Sequence, residues 1–239
     1  MLRNDPSAPL SVELPTFVDV PAGSGLGTSS ALVVAILGAF AEMHDLPMGE
    51  YDLARCAFEI ERMDLNLAGG RQDQYAATFG GFNFMEFQTN GNVIVNPLRV
   101  KERYLDELAH NLLLYYTSTS RDSATIIRQQ SMGIEMNHPE QIEATHRLKE
   151  QAFGRKEALL KGNLDRIGEL LDFGWSNKKR IAEGITTPAI DQIYANAIAN
   201  GATGGKISGA GGGGFMTFFC PGNTRYAVAT ALNPLGGKE

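Results

Sequence analysis

The spacing of hydrophobic residues changes period several times along the chain and predicts a mixture of strands and helices. Residues 10–20 alternate apolar and polar side chains, which predicts a strand with one buried face. Residues 29–44, SSALVVAILGAFAEMH, are apolar on nearly every side and too long for one strand. They therefore predict a buried helix. Residues 48–67 predict a second helix with acidic residues near its start.

The remaining elements follow the same reading. Residues 69–87 predict a turn, a short helical piece and a strand that carries three phenylalanines. Strands are then expected within 92–100 and 111–119, mostly helix over 120–183, a helix over 187–202, two strands joined by a glycine loop over 204–220, and a last helix over 224–233. Early strands, central helices and a late pair of strands favour an α+β fold over alternating βαβ units.

Composition narrows the class of protein. The chain has 239 residues, of which 43% are hydrophobic, enough for one large domain or two interlocked lobes. The net charge of −6 argues against nucleic acid or an anionic membrane as a partner. No apolar run is long enough to span a bilayer, and residues 1–14 lack the pattern of a signal peptide. The two cysteines form neither a disulfide framework nor a metal-binding motif, which is typical of a reducing compartment. We therefore expect a cytoplasmic protein.

A glycine-rich segment, PAGSGLGTSSAL at residues 21–32, lies between the first predicted strand and the first predicted helix. The first backbone N–H groups of a helix have no partner within the helix, and the helix dipole adds positive charge there. Glycines let the backbone approach phosphate oxygens closely. The segment therefore indicates a phosphate site, although a tight turn with an ordinary Ser or Thr cap remains an alternative.

Two common phosphate motifs do not apply. A Walker A loop requires a lysine, and residues 21–50 contain none. The dinucleotide fingerprint GxGxxG requires a glycine where this segment has Thr28. Residues 209–214, GAGGGG, match that spacing, but a predicted strand follows them where the fingerprint requires a helix.

The two glycine segments together resemble the GHMP small-molecule kinases. Residues 21–29 resemble their phosphate loop, and KISGAGGGG at 206–214 resembles their C-terminal signature between two strands. The resemblance covers nearly the whole chain. It implies a two-lobed α+β fold, with a lobe similar to domain 2 of ribosomal protein S5 over residues 1–100 and a ferredoxin-like lobe over 101–239.

The resemblance also implies ATP and Mg²⁺ as cofactors and a set of site residues. Phosphoryl transfer requires neutralised phosphate charge, an aligned hydroxyl and a carboxylate that takes its proton. By resemblance Ser29 and Glu61 hold the metal and Asp73 is the base, with Glu59 and Asp64 as alternative ligands. Alone, Glu61 would be a solvated helix charge and Asp73 a helix cap. The expected nucleotide-phosphate contacts are Pro21, Gly23, Ser24, Gly25, Leu26, Gly27, Thr28, Ser29 and Ser30.

Two further stretches, residues 69–87 and 115–127, resemble the heptose 7-phosphate kinase branch of that family. The branch phosphorylates the anomeric hydroxyl to give a 1,7-bisphosphate, on the route to nucleotide-activated heptose for surface glycans such as lipopolysaccharide. Galactokinase-, fucokinase- or mevalonate kinase-like activity, or an inactive binding fragment, are the alternatives. The expected substrate contacts are Arg71, Asp73, Ser120, Arg121, Lys206, Gly209, Ala210, Gly211 and Gly212.

The chain departs from the family pattern at its ends. Family members carry strands and a first motif ahead of the phosphate loop, whereas about twenty residues precede the loop here. We therefore expect that N-terminal strands are missing and that the chain is truncated at both ends. The sequence leaves the oligomeric state open, a homodimer being one option.

Overall fold

The computed structural model describes residues 11–21, 23–119 and 123–238, which separate into two units. Unit one contains residues 11–21 and Gly27–Pro97. Unit two contains residues 23–26 and 98–238. The glycine-rich segment therefore contributes its first half to unit two and its second half to unit one.

Unit one consists of helices on one antiparallel hairpin. Its elements are α1 (Thr28–Met43), α2 (Glu50–Glu59), which continues into a π-helical turn (Ile60–Asp64), α3 (Gln72–Phe79), β1 (Asn83–Phe87) and β2 (Val93–Pro97). Phe87 pairs with Val93, and Asn83 with Pro97. Ala54, Tyr75 and Val95 form the core between the helices and the hairpin. The Tyr51 hydroxyl accepts a hydrogen bond from the Val95 N–H at 2.9 Å and ties α2 to β2.

Two predictions for this unit were wrong. Residues 11–18 form no strand despite their alternating pattern, and Phe17 is exposed. A strand requires a hydrogen-bonded neighbour, and none is present for this segment within the described residues. Helix α1 forms where predicted, but only Ser30, Val34 and Ala41 of it are buried, because it packs on α2 and α3 along one side.

Unit two is a three-stranded antiparallel sheet covered by helices. Its elements are α4 (Glu102–Asn111), β3 (Leu112–Tyr116), α5 (Ser123–Glu135), α6 (Pro139–Lys161), α7 (Asp165–Lys178), α8 (Pro188–Ala199), β4 (Gly204–Ile207), β5 (Phe215–Phe219) and α9 (Thr224–Leu232), followed by a 3₁₀ turn (Asn233–Leu235). The strand order is β3-β5-β4, and Lys238 bridges to Tyr116 on the free side of β3. This βαββαβ order is that of a ferredoxin-like sheet whose last strand is reduced to one bridge.

Helix α7 lies directly on the sheet of unit two. A side chain at Gly204 would place its Cβ 1.9 Å from the carbonyl oxygen of Gly168, so only glycine permits this approach. Helix α6 packs on α7 in antiparallel fashion, because Gly154 faces Leu170 and Gln151 faces Gly174. Trp175, Ile207 and Phe218 are fully buried in the main core of the unit. No helix within the described ranges is both long and apolar enough to cross a bilayer.

Candidate active site

The buried carboxylate of Glu61 organises the polar centre of unit one. The Ser29 hydroxyl donates to Oε1 at 2.9 Å, and the Ser30 hydroxyl donates to Oε2 at 2.6 Å. The amide of Gln74 donates to the same Oε2. Glu61 is 1% exposed and Gln74 fully buried, whereas Ser29 is exposed. The network therefore fixes a buried carboxylate beside a hydroxyl that solvent or a ligand can reach.

Three elements bring these side chains together. Gly27 takes a left-handed conformation, with φ of 74°, immediately before α1, so Ser29 and Ser30 lie in the first turn of that helix. The π-helical turn carries Glu61 at the end of α2, and π turns are frequent at functional sites. Helix α3 supplies Gln74 from its first turn.

Hydrogen bonding determines the charge of Glu61. Burial would raise the pKa of this carboxyl, but the donors on Ser30, Gln74 and Ser29 together with the Arg62 guanidinium lower it below its usual range. Glu61 is therefore ionised at neutral pH. A carboxylate with an adjacent hydroxyl is a donor set that fits Mg²⁺, which uses few protein oxygens and completes its shell with water and phosphate.

Asp73 lies at the other side of Gly27. A Cβ on Gly27 would be 3.4 Å from the Asp73 carboxyl carbon, an ordinary contact distance, which places this carboxyl next to the end of the first glycine segment. Desolvation raises the pKa of Asp73, Arg62 opposes that rise, and the charge of Glu61 adds to it. Asp73 is exposed at the surface, so its carboxyl is accessible, and its raised pKa makes it a stronger proton acceptor than an ordinary aspartate.

Arg62 connects the two acidic side chains electrostatically, a role that the sequence reasoning missed. Its Nη1 lies 4.0 Å from Glu61 Oε1, and its Nε donates to the Gly70 carbonyl at 3.1 Å. Gly69 leaves room for this side chain, because a Cβ there would lie 2.6 Å from the guanidinium carbon. The only sequence signal was its position next to Glu61 in a turn rich in glycine.

Arg71, one of the expected substrate contacts, has structural partners within unit one. Its Nη1 donates to the Gly91 carbonyl at 2.5 Å, in the turn between β1 and β2. Its guanidinium carbon lies 4.6 Å from the centre of the Phe58 ring. These contacts anchor the hairpin, and a role in substrate binding stays a prediction.

The two glycine segments touch within unit two. A Cβ on Gly25 would lie 2.6 Å from the Ser208 carbonyl oxygen, and one on Gly209 would lie 2.9 Å from the Gly25 Cα. The Phe215 N–H donates to the Ser24 carbonyl at 3.0 Å. Both glycines have positive φ, 77° at Gly25 and 67° at Gly209, so side chains are excluded by conformation as well as by space.

The rest of the second glycine segment is held by its neighbours. The Gly212 N–H donates to the Ile185 carbonyl at 2.8 Å, and a Cβ on Gly211 would lie 2.8 Å from the Ile185 Cα. The Ala210 carbonyl accepts from Gln130 at 3.3 Å. Gly209 stays exposed at the surface.

The structure thus brings together Ser29, Glu61 and Asp73 in unit one, while the alternative metal ligands Glu59 and Asp64 are exposed. Gln74 and Ser30 act as partners of Glu61, which the sequence reasoning did not assign. Ser120 and Arg121, two expected substrate contacts, lie outside the described residues.

Comparisons with known proteins match both ends of the chain to one family. The profile of the GHMP kinases N terminal domain matches residues 3–81, and that of the GHMP kinases C terminal domain matches residues 156–236. The chain is 48% identical over 224 residues to D-glycero-alpha-D-manno-heptose 7-phosphate kinase of Campylobacter jejuni, covering 94% of this chain and 66% of that protein. It is 31% identical to mevalonate kinase of Methanothermobacter thermautotrophicus, covering 95% and 69%.

A solved structure gives the same result for the fold. The crystal structure of a D-glycero-D-manno-heptose 1-phosphate kinase from Bacteroides thetaiotaomicron superposes with a TM-score of 0.70 at 44% identity. The match covers 92% of this chain and 60% of that one. The chain thus spans less than two thirds of the length of these two heptose kinases.

Proposed function

We propose, since this chain belongs to the GHMP kinase family, that it carries the machinery of an ATP-dependent kinase acting on a heptose 7-phosphate. The transferred phosphoryl group would go to the anomeric hydroxyl and give a heptose 1,7-bisphosphate. The observation that carries the proposal is the Glu61 network beside Asp73, in a chain 48% identical to a heptose 7-phosphate kinase.

The first turn of α1 would receive the transferred phosphate. The first N–H groups of a helix have no partner within the helix, and together with the helix dipole and the hydroxyls of Ser29 and Ser30 they favour negative charge at this end. Gly25 and Gly27 have φ of 77° and 74°, a backbone conformation that glycine adopts without strain. The proposed nucleotide contacts are therefore those of residues 23–30 that were expected from the sequence.

Ser29 and Glu61 would hold Mg²⁺, whose chemistry is to neutralise phosphate charge during transfer. Their oxygens are adjacent, and the lowered pKa of Glu61 keeps its carboxylate ionised at physiological pH. Ser30 and Gln74 would orient that carboxylate through their hydrogen bonds to Oε2.

Asp73 would accept the proton of the anomeric hydroxyl at its carboxylate. A general base is most effective when its pKa lies close to the working pH, and the raised pKa of Asp73 moves it in that direction. The positive charge of Arg62 would limit this rise of the Asp73 pKa.

We also propose that units one and two correspond to the two lobes expected from the sequence. The N-terminal profile falls within residues 3–81 and the C-terminal profile within 156–236, on either side of the division after Pro97. Because the donor is ATP and the product would feed the synthesis of activated sugars, we place the reaction in the cytoplasm.

The names of the two heptose kinases disagree on the phosphate that the acceptor carries, since one specifies heptose 7-phosphate and the other heptose 1-phosphate. A decisive experiment measures ATP consumption by this chain with each heptose phosphate, and with galactose, fucose and mevalonate in parallel. We expect turnover with heptose 7-phosphate alone, lost in Asp73→Asn but retained in Asp64→Asn. Equal or faster turnover of heptose 1-phosphate, or of any unphosphorylated acceptor, would contradict the proposed substrate.

A further inference from the structure

Three cationic side chains of unit two lie on adjoining elements without an acidic partner. Arg155 is on α6, Lys178 is the last residue of α7, and Lys206 is on β4. All three residues are partly buried, and none has an ion pair within the residues that the structure describes. We refer to them as the cationic cluster.

The packing of unit two directs Lys206 towards the helices. Side chains two residues apart on a strand point to the same face, so Lys206 shares the face of Gly204. That face lies on α7, because the Cβ position of Gly204 is 1.9 Å from the Gly168 carbonyl oxygen. Helix α6 packs on α7 and carries Arg155 one turn beyond Gln151, whose amide lies against Gly174.

The ends of the cluster differ in their hydrogen bonding. The Lys178 amine donates to the carbonyl of Gly209, which places the cluster beside the second glycine segment. Arg155 Nε is buried and has no acceptor in the described part of the chain. A buried N–H without an acceptor is costly, and an oxygen of a bound anion would supply that acceptor.

Other cations on helices α6 and α7 do have acidic partners. On α6 and α7, exposed cations pair with nearby carboxylates, as Lys161 does with Glu157 and Arg166 with Glu169. Arg180 likewise contacts two glutamates of α6. The three members of the cationic cluster, in contrast, are partly buried and have no such carboxylate partner among the described residues.

Electrostatics support the same interpretation. Burial lowers the pKa of Lys178 to about 7 and that of Lys206 to about 8, and mutual repulsion among the cations adds to both shifts. Burial also lowers the pKa of Arg155 to about 10. Burying positive charges close together is unfavourable. Such an arrangement is typical of anion-binding sites, where the bound dianion offsets the unfavourable energy.

We propose that Arg155, Lys178 and Lys206 bind the phosphate group of the acceptor sugar phosphate. A phosphate dianion supplies acceptors for both amines and for the guanidinium, whose planar N–H groups suit phosphate oxygens. Only the identity of the occupant rests on the proposed function, because anion binding by the cluster follows from its own contacts. The cluster would bind the phosphate of the acceptor, whereas the first turn of α1 would receive the phosphate of ATP.

Calorimetric titration of the full chain tests the proposal without requiring turnover. The titrants are D-glycero-D-manno-heptose 7-phosphate, the same heptose without phosphate, and a non-hydrolysable ATP analogue with Mg²⁺. The variants are Lys178→Met and Lys206→Met, with Lys161→Met as the matched control because Lys161 is an exposed lysine paired with Glu157. Each cluster variant should weaken heptose 7-phosphate binding about tenfold or more, the loss of one charge-assisted hydrogen bond.

The same variants should bind the ATP analogue and the unphosphorylated heptose as the unchanged chain does, and Lys161→Met should alter nothing. Unchanged affinity for heptose 7-phosphate in both cluster variants would overturn the proposal. So would an equal loss of affinity for the ATP analogue, since the cluster would then serve the nucleotide.

Inorganic phosphate, used as a fourth titrant, separates failure of this proposal from failure of the proposed function. If the chain binds phosphate through Lys178 and Lys206 but does not turn over heptose 7-phosphate, the cluster is confirmed and the proposed substrate is wrong. If the chain turns over heptose 7-phosphate but both variants bind heptose 7-phosphate and inorganic phosphate as tightly as the unchanged chain does, the proposed substrate is supported and the assignment of the cluster is wrong. Melting temperatures at or above that of the unchanged chain will show that the variants fold.

Discussion

At the scale of single residues, the strongest constraint is the set of three donors that converge on Glu61. Replacing Glu61 with Gln adds an N–H group where these donors need acceptors, so a buried donor loses its partner. We expect Glu61→Gln to lower the free energy of unfolding by about 1–3 kcal/mol at pH 7. Urea unfolding measures this, with Glu59→Gln as a control because Glu59 is exposed on the same helix.

The effect of Glu61→Gln should depend on pH with a defined sign. The pKa of Glu61 is lower in the folded protein than the ordinary value of 4.5. Its charge therefore stabilises the fold above about pH 4.5, and this contribution is lost as pH falls through the folded pKa. The difference in stability between Glu61→Gln and the unchanged chain should shrink as the pH is lowered from 7 to 4 and below. A difference that grew on acidification would contradict the hydrogen-bonded carboxylate.

The pKa of Asp73 is shifted in the opposite direction to that of Glu61, and we expect this shift in the pH dependence of the kinetics. Desolvation raises its pKa above the ordinary value of 3.8, so the proposed base should be protonated at a higher pH than a free aspartate. We expect kcat/KM for the heptose phosphate to fall on acidification with an apparent pKa above 3.8. Arg62→Met should move this midpoint further upward, because Arg62 is the group that lowers the pKa of Asp73. A midpoint that stays in place would show that Asp73 does not control the profile.

The sequence predicted much of this site but not its internal contacts. Ser29, Glu61 and Asp73 were assigned to one site by the resemblance to the GHMP kinases, and their positions at a helix start, at a helix end and after a glycine turn agree with that assignment. Ser30, Arg62 and Gln74 carried no such signal, since their roles depend on which side chains face each other after the π-helical turn has rotated Glu61 inward. Side-chain direction at the end of a helix is a tertiary property and leaves no trace in residue spacing.

At the scale of elements, the close approach of the two glycine segments predicts different effects for two glycines. Alanine at Gly25 must adopt a φ of 77° and would place its Cβ 2.6 Å from the Ser208 carbonyl oxygen. We expect Gly25→Ala to lower the free energy of unfolding by about 1–3 kcal/mol, as strain and overpacking usually do. It should also raise the KM for ATP, because residues 23–30 are the proposed phosphate contacts.

Gly38 provides the matched control on α1. A Cβ there meets no atom within 4 Å, and the residue lies in the interior of the helix. Gly38→Ala should therefore raise the free energy of unfolding by about 0.5–1 kcal/mol through helix propensity and leave the KM for ATP unchanged. Urea unfolding and initial-rate kinetics of the two variants give both comparisons. Equal effects of the two substitutions would show that the contact at Gly25 carries no constraint.

Secondary structure was predicted correctly where the residues of a segment themselves favour one element. It was predicted wrongly where pairing with other segments determines the structure. The strands at β3 and β5 and the helix at α8 follow runs with clear period and ends, including Thr187, whose hydroxyl caps the first turn of α8. Helix α4 was not predicted, because its ten residues are mostly polar. Residues 11–18 have strand periodicity without a described neighbour to pair with, and such a pattern cannot supply its own hydrogen bonds.

At the scale of the whole molecule, the carboxylates of the candidate active site and the cationic cluster belong to different units. Unit one carries Glu61 and Asp73, whereas unit two carries Arg155, Lys178 and Lys206. The net charge of −6 conceals this division, so total charge excluded nucleic acid as a partner without revealing a local anion site. Lys206 was expected as a substrate contact from the family resemblance. Arg155 and Lys178 could not be recognised from the sequence, because a cation in a polar helix is expected to be solvated until its neighbours are known.

The cationic cluster predicts how stability and ligand binding depend on pH. Lys178 and Lys206 have folded pKa values of about 7 and about 8, below the ordinary 10.5. Between these folded values and pH 10.5, the unfolded chain therefore binds more protons than the folded chain does. Stability should therefore rise with pH above 7, and the penalty should be complete below pH 7. The groups that face these amines are Arg155 from α6 and the Gly209 carbonyl from the glycine segment. Lys206→Met should be more stable than the unchanged chain at pH 7, by a margin that narrows towards pH 10.

Binding of a phosphate dianion should reverse this deprotonation. A negative charge next to Lys178 and Lys206 raises their pKa values, so the complex takes up protons from the buffer at pH 8. Titrations with inorganic phosphate in buffers of different ionisation enthalpy measure that uptake directly. Proton uptake by the unchanged chain should exceed that of Lys178→Met and of Lys206→Met, while Lys161→Met should match the unchanged chain. Because phosphate itself gains or loses protons equally in all four proteins, a difference between them can come only from the cluster. Identical uptake in all four would mean that the amines are already charged and that their burial has no part in binding.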